Sequence, residues 1–207
     1  MEQETTEDFE IMAGILPSDK PYSRTGIFEM WKNRIPWLMF LMLSATFTSM
    51  ILTSFEDMLA VQAGLVAFIP MLMGTGGNSG AQASTAVIRA ISLGDTEPSE
   101  ALSVIWKELR VSFICGLSLA IVNFVKMLLV DGMLLNNDGV TMAVSATVSL
   151  SVLFIVMFAK VVGCCLPMLA EKLHLDPAVM ANPLISTVTD AVSLVIYIYV
   201  AKLILHI

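Results

Sequence analysis

The sequence predicts an all-α integral membrane protein of five transmembrane helices, the second of them broken. Mean hydropathy is +0.81, and 57 % of residues are hydrophobic against 14 % charged, outside the usual composition of a soluble domain. At about 20 residues per span, 207 residues hold five or six helices and short loops, with no room for a separate soluble domain of ordinary size. Residues 1–34 then form an acidic tail and a juxtamembrane amphipathic segment, and residues 35–207 one membrane domain.

The first span covers residues 35–54, opened by Trp37 and preceded by Lys32 and Arg34. The second starts near Met58 and runs uninterrupted to Met73, where MGTGGNSGAQAS intervenes before an apolar helical pattern resumes as far as Leu93. Spans three to five cover residues 111–130, 141–163 and 177–205. Residues 96–110, with Pro98 near their start and Leu102, Ile105, Trp106 and Leu109 as an apolar set, read as an amphipathic helix lying on the cytoplasmic face of the membrane. Residues 22–31 read the same way.

Lys and Arg sit before span 1, between spans 2 and 3, and around the link between spans 4 and 5. The opposite loops, residues 55–57 and 131–137, contain neither. The positive-inside rule therefore places the N-terminus in the cytoplasm and the C-terminus outside, in a multi-pass protein of the plasma (inner) membrane. Lys126 and Lys202 are exceptions expected to snorkel from external span ends, and Lys160 is read as marking the internal end of span 4. Five of the eighteen acidic residues lie in the first ten positions, a solvated tail. The N-terminus does not read as a cleaved signal peptide. Cys115, Cys164 and Cys165 fall in apolar runs, with neither a disulfide framework nor zinc spacing. No nucleic-acid partner is expected.

Asp190 is the one acidic residue deep in an apolar run. A carboxylate at that depth costs roughly 2.5–3.5 kcal/mol on insertion scales, so retention points to an ion or proton role. At helical spacing Asn182, Ser186, Thr189, Asp190 and Ser193 share a face, a strip of oxygen-bearing side chains roughly 16 Å long. In the second span, Gly74, Gly76, Gly77 and Gly80, with Thr75, Asn78, Ser79 and Gln82, predict unwound backbone at the protein interior, buried in protein or lining a wet cavity, since lipid leaves such amides unsatisfied. The alternative is close helix packing through small residues. Neither a phosphate loop nor a dinucleotide fingerprint fits the spacing.

Carbonyls and an amide facing a carboxylate suit a hard cation with oxygen ligands, and Mg²⁺ is favoured because it keeps much of its water. One Asp190 per chain is little charge, and a two-fold homodimer would supply two. Asp176 before Pro177 reads as a helix cap, and Asn123 as an interhelical hydrogen-bonding residue. Asn182 has two readings, pore lining or satisfaction of a kink at Pro183. Asn78 also has two readings, a turn residue or, in the membrane context, a pore-lining one with Gly76, Gly77, Ser186 and Thr189.

Pro70, GTGGNSGAQ and Arg89 resemble the second-span signature of the MgtE family, and Asp176-Pro177-Ala178, Pro183, Thr187 and Asp190 resemble its last span. The resemblance covers most of residues 30–205. It implies a five-helix homodimer with a central pore lined by spans 2 and 5, selective for Mg²⁺ and permissive to Mn²⁺ or Co²⁺. Asp190 would be the main acidic group for the ion, with Asn78 and Asn182 as polar partners. The family commonly carries a cytoplasmic N-terminal domain and CBS domains that gate the pore, whereas about 34 residues stand there in this chain. A minimal member, a separate regulatory protein and a trimmed chain remain alternatives. Where the family often has glycine a few residues after the aspartate, this chain has Ser193.

The function expected is a passive Mg²⁺ channel. The alternative is a Na⁺- or H⁺-coupled Mg²⁺ exchanger, since transporters use broken helices at midplane sites. An enzyme is not expected: His174 and His206 lie at span ends, and no second deep aspartate accompanies Asp190.

Overall fold

In a bilayer, backbone N–H and C=O groups find no solvent partner, so each apolar run satisfies its own groups as a helix. The computed structural model describes residues 7, 9–18, 20–135, 139–180 and 182–206, and the side chains of Val61, Ala63, Met180 and Asn182 lie outside that description. Most of the acidic tail and Asn136 to Asp138 of one predicted loop fall outside it too. The long helices are α1 (Ile27–Ser54), α2 (Ile69–Ser92), α3 (Ala101–Lys126, continued by π-helical turns Met127–Leu134), α4 (Met142–Lys172) and α5 (Asn182–Leu205).

Among the described residues, four stretches are long and apolar enough to cross a membrane: Ile27–Ser54, Pro98–Leu134, Met142–Lys172 and Pro183–Leu205. At 24 residues α2 is about 36 Å long, but its Gly, Ser, Thr, Asn and Gln residues dilute its hydropathy.

The predicted break in the second span is not where the sequence suggested. The chain bends earlier, through a short helix Glu56–Val61 and a 3₁₀ segment Ala63–Phe68, and α2 then runs unbroken through all four glycines. Pro70 sits in the first turn of α2, where its missing N–H has no helical acceptor to lose. Neighbouring helices press onto three of the glycines, Gly76, Gly77 and Gly80, while Gly74 has open space beside it. A Cβ on Gly163 of α4 would fall 2.9 Å from the carbonyl carbon and 3.1 Å from the Cα of Gly80, so these backbones meet almost directly.

Three further boundaries differ from expectation. Residues 27–31 are the opening of α1, and residues 101–110 are the opening of α3, so neither is a separate surface helix. Pro98 and the Glu97 N–H bond to Glu100 Oε2 (3.3 Å) start α3, and no proline interrupts it afterwards. Lys160 is not at a span end: α4 continues to Lys172, and Lys160 is only 6 % exposed, because residues 161–170 are themselves largely apolar. Pro183 lies in the first turn of α5 and makes no mid-helix kink for Asn182 to satisfy.

The helix α4 is central, packed against α2, α3 and α5, while α1 touches mainly α5 and has no buried residue. The core joins Val148, Val152, Ile155 and Val156 of α4 to Leu72, Leu194 and Ile198. Asn123 donates from Nδ2 to Ser149 Oγ at 3.0 Å, bridging α3 and α4. Asp176 Oδ1 accepts from the Ala178 N–H at 2.8 Å, capping the 3₁₀ turn Pro177–Met180. Lys126 pairs with Asp131 at 2.8 Å, and the Lys202 ammonium lies 4.9 Å from the Phe55 ring centre, so both cations have partners within the protein.

Tyr197 Oη donates to the Leu65 carbonyl at 2.9 Å and ties the 3₁₀ segment to α5. Tyr197→Phe removes this bond between the 3₁₀ segment and α5, an expected loss of about 0.5–1.5 kcal/mol, to be read from thermal unfolding of the two proteins in the same detergent.

Candidate functional site

Helices α2 and α5 meet along a seam of small side chains. A Cβ on Gly76 would lie 2.6 Å from Ser193 Oγ, one on Gly80 2.6 Å from Ile185 Cγ2, and one on Gly77 3.2 Å from Ser186 Oγ. Thr189 and Ser193 are buried there. The Thr189 hydroxyl donates to the Ser186 carbonyl at 3.0 Å, which satisfies it within its own helix. Ser193, standing where glycine is common in the resembling family, fits because Gly76 opposite it has no side chain.

Beside the seam the helices part and leave an open groove of about 470 Å³. Pro70, Met73, Gly74, Gly77 and Asn78 line it from α2, and Ser186 and Asp190 from α5. Asp190 is half-buried and has no hydrogen bond or ion pair among the described residues. The fold thus brings Asp190, Asn78, Ser186 and Gly77 together, two pairs over 100 residues apart in sequence. Gly76 and Thr189 lie behind them in the seam, and the Asn182 side chain is outside the described residues.

The groove offers a carboxylate, an amide and a hydroxyl, all with oxygen donors suited to a hard cation or its water shell. Among the described residues no group of three or more His, Cys, Asp or Glu side chains could hold a metal ion. A single chain therefore offers one carboxylate and open space, an arrangement suited to an ion that retains water.

Sequence reasoning missed Met73 as a lining residue and did not assign Pro70 or Gly74 to the site. Their signal was the spacing 70, 74, 77 on one helical face, hidden while the segment was read as unwound. Gly74 has open space where a Cβ would stand.

A family model described as MgtE, divalent cation transporter, matches residues 69–200. The chain is 37 % identical over 206 residues to the magnesium transporter MgtE of Thermus thermophilus, covering 100 % of this chain and 44 % of the relative. It is 29 % identical over 174 residues to the magnesium transporter MgtE of Bacillus subtilis, covering 84 % and 37 %. With that of Enterococcus faecalis it shares 25 % over 203 residues, covering 98 % and 42 %. The chain spans less than half the length of these curated relatives.

Proposed function

Because the chain belongs to the MgtE family of divalent cation transporters, we propose that it conducts Mg²⁺ across a membrane as a homodimer, along a path lined by α2 and α5. The observation that carries this reading is the groove that Asp190 and Ser186 of α5 line together with Asn78 of α2. Two copies related by a two-fold axis bring two such grooves, and two carboxylates, to one path. Each Asp190 acts on the ion largely through its first hydration shell, since Mg²⁺ releases water reluctantly. The membrane potential drives entry by roughly 4.6 kcal/mol per 100 mV for a divalent ion. Mn²⁺ and Co²⁺, with the same charge and preference for oxygen, pass less readily. The N-terminus is cytoplasmic in this reading.

The test is Mg²⁺ uptake into proteoliposomes under an imposed potential, with H⁺ and Na⁺ gradients applied separately. Uptake that follows the potential and ignores both gradients is the expected result. A strict requirement for either gradient replaces the channel with an exchanger.

A further inference from the structure

At the N-terminal end of α1 the preceding segment folds back along the helix. The Leu16 N–H bonds to the Asn33 carbonyl at 3.0 Å. The fold-back encloses two adjoining compartments of opposite character. One, about 490 Å³, is walled by apolar residues including Ile11, Pro17, Pro36, Trp37, Phe40 and Val179. That volume lies within the roughly 300–1,000 Å³ of small-molecule sites. The second, about 80 Å³, is lined by Ser18, Lys20, Asn33 and Arg34 among others. Ile15 and Leu16 line both, so the compartments adjoin.

The charges and the unmet donor indicate what fits. Lys20 is paired with Glu29 at 2.8 Å, and Glu10, which also lines the polar compartment, accepts from the Ser18 N–H at 3.0 Å. Arg34 has no hydrogen bond or ion pair among the described residues. In the apolar wall the Trp37 Nε1–H is buried with no acceptor. A free guanidinium, an unpaired donor and an apolar slot follow the order of a phospholipid: phosphate, glycerol ester, acyl chain. Their place at the start of the apolar run is the depth at which that order occurs in a bilayer.

We propose that this fold-back is a binding site for one anionic phospholipid, its phosphate on Arg34 and an acyl chain in the slot beside Trp37. The site lies on α1 and the segment before it, with Val179 of the turn Pro177–Met180 closing one wall; it shares no lining residue with the α2–α5 groove and does not depend on the ion reading.

The test uses the full chain in phosphatidylcholine vesicles containing a minor fraction of phosphatidylglycerol. The exposed Trp31 and Trp106 (each 59 % exposed) are replaced by Phe, leaving Trp37 as the sole indole. Bromine is carried on the acyl chains of either lipid, and quenching per brominated molecule is compared. About a fivefold preference for brominated phosphatidylglycerol is expected, the order set by one basic side chain near an anionic surface. Arg34→Gln removes the preference and Arg34→Lys keeps most of it. Leu16→Glu, which places a charge between the compartments, lowers quenching by both lipids. Equal quenching by the two lipids, as for ordinary surrounding lipid, overturns the proposal. So does a preference that survives Arg34→Gln in protein of unchanged helicity.

Discussion

Asp190→Asn is expected to lower Mg²⁺ uptake by tenfold or more while leaving helicity and assembly intact. The substitution keeps the shape of the side chain and an oxygen in the groove, and removes only the charge. At an effective dielectric constant near 20, a unit charge about 4 Å from another is worth about 4 kcal/mol, and a divalent ion about twice that. Intervening water reduces the figure, but a residue of one or two kcal/mol still accounts for a tenfold loss. Because Asp190 makes no hydrogen bond or ion pair among the described residues, folding loses nothing by neutralising it. The measurement is initial uptake rate in proteoliposomes alongside circular dichroism and size-exclusion chromatography. Unchanged uptake removes Asp190 from the path, and misfolding instead assigns it a structural role.

Gly163→Ala is expected to destabilise the protein by about 1–3 kcal/mol or more, the range for overpacking a close-fitted interior. Its Cβ would stand 3.1 Å from Gly80 Cα and nearer still to the Gly80 carbonyl. Those are backbone atoms, so no side chain can rotate away, and α2 and α4 must separate. Separation also shifts the α2 face that carries Asn78, so uptake falls with stability. Gly74→Ala is the contrast: nothing stands within 4 Å of an added Cβ, and replacing a mid-helix glycine typically gains about 0.5–1 kcal/mol. Thermal unfolding of the two variants in one detergent measures the difference. Equal stability would mean that α2 and α4 do not meet as closely as the glycines imply.

The two substitutions address different layers of legibility. Asp190 was legible because one charge in an apolar run is an anomaly that needs no neighbour to detect. The Asp176 cap and the hydrogen-bonding of Asn123 were legible because each acts over a turn or across one contact. The glycine segment was misplaced because glycine is a poor helix former by about 1 kcal/mol per residue, so four in seven positions look like a break. That local preference is overruled where no water can satisfy an unwound backbone and small residues allow neighbouring helices to touch. Lys160 was misread for a similar reason: its position within α4 depends on where that helix stops, and an apolar stretch containing Pro167 does not announce its end.

By itself the sequence determined the membrane class, the approximate runs of the helices and the carboxylate on the last of them, all of which follow from hydropathy and helical period. Only the tertiary structure decided that Gly76, Gly77 and Gly80 form a helix-packing surface, and that Pro70, Gly74 and Asn78 share a groove with Ser186 and Asp190. A helical period says which residues share a face of one helix. Which faces meet depends on the depth to which side chains let two backbones approach, and that is fixed only when both helices are in place.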